Sequence, residues 1–117
     1  MSMRESDYPG GVPVDGYGPG FFRIAGQVHR GAVIVTADGA RTWAGLEDAA
    51  PLVALGRRID VLFLGMGGDI ARPPAALVAL LEDAGLMVEP MSTPSAARSY
   101  NVTLAEGRRV ACALIPV

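Results

Sequence analysis

The chain has 117 residues, enough for one domain that buries roughly 65% of the surface its unfolded form exposes. Half the residues are hydrophobic, with Val, Leu, Ile and Ala ahead of the aromatics, which suits an α/β core better than a disordered or fibrous chain. The net charge of −2 and a pI near 5.2 leave no broad basic field for nucleic acid. The single cysteine excludes an intrachain disulfide. No apolar h-region opens the sequence and no run approaches a membrane span, so the expectation is a soluble cytoplasmic protein without membrane insertion.

Turn formers crowd the start: Pro9, Gly10, Gly11, Pro13, Gly16, Gly18, Pro19 and Gly20. They predict a flexible Gly/Pro-rich arm over residues 1–20, unable to hold a helix or a regular ladder, ahead of a single α/β domain over residues 21–117. In "FFRIAGQVHRGAVIVTA", Phe22 and Ile24 alternate with Arg23, and Val33, Ile34 and Val35 form a denser apolar block. Gly26 and Gln27 lie between these runs and predict a β-hairpin. A short helix is expected around Pro51 to Leu55.

Val61 to Leu64 is a continuous apolar run, as for a strand covered on both faces. Pro73 and Pro74 suit a helix start. Leu77, Leu80, Leu81 and Ala84 then fall at i, i+3, i+4 and i+7, and Gly85 stands where a left-handed cap would end the helix. Leu86 to Val88 is the next strand. Thr93 suits an N-cap with Pro94 at the first helical position. Ala97, Tyr100, Asn101 and Leu104 repeat the stripe, Gly107 ends it, and the apolar run Val110 to Ile115 is the last strand. Strands alternating with helices imply a parallel core, and the opening hairpin makes the sheet mixed.

The stretch "DVLFLGMGGD" holds the most chemistry. Gly65 and Gly67 fit the first two places of a dinucleotide fingerprint, but Ile70 occupies the third. Glu89 ends a strand where a ribose contact would lie, yet a helix starting near Pro74 is too far from Gly67 to aim its dipole at a pyrophosphate. A Walker loop is excluded because no G-K-[ST] follows. Two readings remain, a structural turn or a site for a small anion. If strands 61–64 and 86–89 are parallel neighbours, the loops after them share one carboxyl edge, where open α/β sheets bind ligands. The candidate ligand or partner site is then Gly65, Gly67, Gly68, Asp69, Thr93, Ser95 and Arg98, with Arg108 as a further partner-binding candidate.

Other residues read as structural. His29, the only histidine, cannot build a zinc site alone. Cys112, inside an apolar strand, reads as an inert buried thiol. No G-x-S-x-G elbow surrounds any serine. Asn101, on the apolar stripe, reads as an amide that anchors helix to sheet through backbone groups.

These pieces together resemble a small Mth-type domain of unknown function. The resemblance rests on the glycine turn at Leu64, Gly65 and Gly67, on Thr93, Ala96, Tyr100 and Asn101, and on Gly107, Arg108 and Val110. "GYGPGFFRIAG" and "RTW" upstream extend it over about residues 15–117. Relatives in that family include a mitochondrial complex I assembly factor and an adipogenesis-associated protein. The resemblance implies a compact three-layer α/β fold with a mixed central sheet, and supplies no reaction, cofactor, metal or catalytic residue. The expectation is a protein-binding or assembly-type module without catalytic activity, whose partner is another protein or a second copy of itself through the apolar Val33–Val35 face. The alternative is a protein or enzyme for a small anionic metabolite, using the crevice between the 65–70 loop and the helix start at 93–98.

Overall fold

The computed structural model describes residues 11–69 and 71–117. In chain order these residues form β1 (Val14–Gly18), β2 (Phe21–Ile24), β3 (Gln27–Arg30), β4 (Val33–Thr36), β5 (Gly39–Thr42), α1 (Ala50–Val53), β6 (Val61–Met66), α2 (Ala75–Asp83), β7 (Met87–Met91), α3 (Thr93–Ala105) and β8 (Val110–Ile115). Strands β1, β2 and β3 make a small antiparallel sheet, and the larger sheet has the order β5-β4-β8-β6-β7. In the larger sheet β6 runs parallel to β7 and β8, while β4 runs antiparallel to β5 and β8.

The two-residue period of β6 and β8 sorts their side chains into two cores. Val61, Phe63, Val110, Cys112 and Leu114 face one way, onto Ala96, Ala97, Tyr100 and Leu104 of α3 and onto Val14, Phe22 and Ile24 of the small sheet. Leu62, Leu64, Ala111 and Ala113 face the other way, onto Leu52, Leu77 and Leu81 of α1 and α2. The result is a single three-layer α/β domain with a mixed sheet and an N-terminal hairpin, as the order of predicted elements implies.

The hairpin itself closes differently from the expectation. Ala25 and Gly26 both take positive φ, 52° and 78°, the double left-handed turn whose twist matches paired strands. The partner of β2 is therefore the polar Gln27–Arg30, an edge strand of the small sheet. Val33, Ile34 and Val35 belong instead to β4, between β5 and β8, and are buried on both faces. Their side chains belong to the core, so the Val33–Val35 stretch presents no exposed apolar face to a second copy.

Part of the expected arm is also corrected. Residues 1–10 lie outside the described residues, but Val14–Gly18 form β1. An edge strand needs only one neighbour, and a register shift between Val14 and Gly16 absorbs the irregular glycine backbone. Both longer helices end as their glycines predict. Leu86 N–H donates to Leu81 O and Gly85 N–H to Glu82 O, and Arg108 N–H to Thr103 O and Gly107 N–H to Leu104 O repeat this at the end of α3. Gly85 and Gly107 supply the positive φ each closure requires. On α2 the stripe is narrower than predicted: Leu77 and Leu81 are buried, whereas Leu80 is exposed.

Candidate functional site

The carboxyl ends of β6 and β7 do lie side by side, since Gly65 is in register with Met91. Packed against that edge, over the ends of β6 and β8, is Thr93, with no exposed surface. Its hydroxyl accepts from Gly67 N–H at 2.8 Å and donates to Ile115 O at 2.6 Å. Its own N–H donates to Gly67 O at 2.8 Å. Thr93 is thus the first residue of α3 and not its cap: Ser92 is the N-cap, and the Ser92 hydroxyl donates to the Ser95 hydroxyl at 3.1 Å. A methyl on Gly65 would stand 2.8 Å from Thr93 Oγ1 and 2.9 Å from both Thr93 Cα and Leu114 Cδ2. Glycine is required there by close approach, and at Gly67 by a φ of 99°. Gly68 and Asp69 turn out into solvent.

Arg98 is not part of that junction. It lines a groove of about 420 Å³ whose walls come from β6, β7 and α3, together with Phe63, Met87, Glu89, Val102 and Arg108. The two arginines predicted as candidates are therefore brought together, while the glycine loop is not among the lining residues. Met87 is 59% exposed and Val102 53% exposed, and both flank a floor made by Val61 and Phe63. Sequence reasoning passed over Met87 and Val102. Val102 carried a signal, being an apolar residue off the buried stripe of α3. Arg98 also borders a second groove of about 270 Å³ between α3 and β1, beside Asp15, Tyr17 and Asn101.

The remaining polar residues are structural. The Asn101 amide donates to Val14 O at 2.9 Å and accepts from Val14 N–H at 2.9 Å, pairing with β1 as a neighbouring strand would. Tyr100 donates its hydroxyl to Val12 O at 2.8 Å. Burial pushes the Tyr100 phenol above its ordinary 10.0 and the Cys112 thiol above its ordinary 9.0, so both stay protonated. His29 sits half-buried on β3 opposite Phe22. Arg109 pairs with Asp60 at 2.7 Å across the exposed end of the sheet. No described helix is long and apolar enough to cross a membrane.

Residues 14–115 match the model of a family described as protein of unknown function (DUF498/DUF598). The chain belongs to this family. An uncharacterised protein of Rhodobacter capsulatus is 56% identical over all of this chain and 94% of its own length. The NADH dehydrogenase [ubiquinone] 1 alpha subcomplex assembly factor 3 of Danio rerio is 28% identical over 99% of this chain and 71% of its own length. Among solved structures, an outer membrane protein from Bartonella henselae superposes with a TM-score of 0.83 at 37% identity, covering 94% of this chain and 98% of its own. An Mth938-like domain from Bordetella pertussis gives a TM-score of 0.74 at 26% identity, covering 89% of this chain and 85% of its own. The resemblance drawn from the glycine turn and the α3 residues is thus shown.

Proposed function

We propose that this protein is a protein-binding, assembly-type module that docks its partner in the groove between α3 and β7. The groove carries the proposal: it exposes Met87 and Val102 above an apolar floor and sets Arg98, Arg108 and Glu89 along its rim. Single exposed apolar residues are ordinary on a protein surface; here two of them line one groove together with the apolar Val61 and Phe63, beside a charged rim. The family relative named as an assembly factor in Danio rerio supports the same class of function. The setting proposed is the cytoplasm, in keeping with a fold that uses no disulfide and buries its one cysteine.

Placing a photo-crosslinking residue at Val102 in the source cells tests this, with the same residue at Leu80 on the α2 surface as control. A discrete crosslinked protein from position 102 and none from position 80 is expected; indistinguishable crosslinks from the two positions refute the groove as the docking face. The small-anion reading of the 65–70 and 93–98 edge predicts a thermal shift with nucleotides, phosphorylated sugars or organic acids. With the Thr93 hydroxyl and the Gly67 N–H already paired to each other, the expected result is no shift.

A further inference from the structure

We infer that the occupant of the α3–β7 groove is an amphipathic helix of a partner protein whose apolar stripe is flanked by carboxylates. The inference rests on the docking face proposed above and names the chemistry of what fills it. Two modes could use this place, addition of a strand to the β7 edge or side-chain docking on the open sheet face.

The edge is poorly suited to the first. Met87 N–H donates to Asp60 O, which turns Met87 toward β6. In a parallel ladder the backbone groups of alternate residues point the same way, so Glu89 and Met91 also face β6, leaving Val88 and Pro90 outward. Pro90 has no N–H, so residues 87–91 offer an added strand a single outward donor. Proline at such a position is how edge strands are closed to further pairing.

The face is well suited to the second. On this side of the sheet α3 packs over β6 and β8, and the groove lies between it and the exposed β7 side chains Met87 and Glu89. A helix docked beside α3 would seat its apolar stripe on Phe63, Met87 and Val102 at the usual spacing of about 8–10 Å between helix axes. The charged residues lining the groove are Arg98, Arg108 and Glu89, an excess of positive charge on a chain whose net charge is −2. Among the described residues the ion pairs are Arg58–Asp38 and Arg109–Asp60, so neither groove arginine is engaged in one. Arg98 stands within α3 and Arg108 just beyond its C-terminal turn, so the occupant meets one cation from the helix and one from the turn that follows it.

The test is selection from a displayed library of helical peptides with fixed leucines at i, i+3, i+4 and i+7 and randomised flanks. The winners are then mapped by amide chemical shifts on the labelled protein. Expected are Asp or Glu enriched in the flanks, shifts at Met87, Glu89, Ser99, Val102 and Thr103, and at least tenfold weaker binding to the double variant Arg98→Glu, Arg108→Glu. Both arginines are exposed, and an unchanged far-UV spectrum and melting point of the double variant separate lost docking from lost folding. Winners that map to the groove with basic or unselected flanks, or bind the double variant equally, overturn the acidic-helix occupant and leave the docking face standing. Shifts confined to another surface overturn both, and no enrichment overturns the helical occupant while the crosslinks from Val102 judge the docking face.

Discussion

Replacing Thr93 by Val keeps the shape of the side chain and removes only its hydroxyl. That hydroxyl accepts from Gly67 N–H and donates to Ile115 O, at 2.8 and 2.6 Å. Gly67 is buried, so its N–H would be left without acceptor or water, while the half-buried Ile115 carbonyl can regain some hydration. Stranding a buried polar group costs about 1–3 kcal/mol. With a smaller loss at Ile115, Thr93→Val is expected to cost about 2–4 kcal/mol. Against a typical domain stability of about 5–15 kcal/mol, that lowers the melting temperature by about 8–15 °C. Thr93→Ser is the control: it keeps the hydroxyl and drops one methyl, at about 1 kcal/mol. Urea unfolding followed by the single tryptophan, the buried Trp43, reads both variants, with an unchanged m-value showing that only stability moved. If Thr93→Val proves as stable as Thr93→Ser or more so, the hydroxyl does not hold the loop and the reasoning fails.

Three further outcomes follow from the same structure. Gly65→Ala presses its methyl against Thr93 Cα and Leu114, neither able to swing away, so a loss of about 1–3 kcal/mol is expected in the same urea assay. Asn101→Ala removes both bonds to Val14, costing about 1–3 kcal/mol, and hydrogen exchange should show β1 losing protection while β8 keeps it. For Cys112 the folded thiol lies above its ordinary 9.0, so below pH 9 folded and unfolded states bind the same proton and stability is unaffected. Above pH 9 the unfolded thiol ionises first, so stability should fall as pH rises further, and Cys112→Ala should flatten that fall in a pH series of melting temperatures.

Reading the sequence went furthest where the physics is local. The unbroken apolar runs of β6 and β8, the closing glycines Gly85 and Gly107, and the Ala97–Tyr100–Leu104 stripe each need only neighbouring residues to be recognised, and each stands where predicted. Asn101 was legible as an anchor because a polar amide on an apolar stripe must find backbone partners. What escaped notice depends on tertiary context. β1 is held by pairing with β2 and by Asn101, far away in sequence, so its glycines and the prolines that flank it read as an arm. β3 is polar because it borders solvent on a small sheet, and the eye passed over it to the richer apolar run of β4. Thr93 carried the signature of a cap, and nothing nearby in sequence shows that its hydroxyl reaches across to the loop after β6 and to β8. The groove pairs Met87 with Val102, which come together because α3 turns back at Ser92 and runs alongside β7.

The position of β8 has a consequence for how the protein is made. It lies between β4 and β6 and, among the described residues, supplies the only link between the antiparallel and parallel halves of the larger sheet. Until residues 110–115 have left the ribosome, β4 with β5 and β6 with β7 are two separate fragments, each showing an open apolar edge. Released fragments that stop short of residue 110 should therefore bind chaperones through those edges, where the chain carried through residue 117 should not.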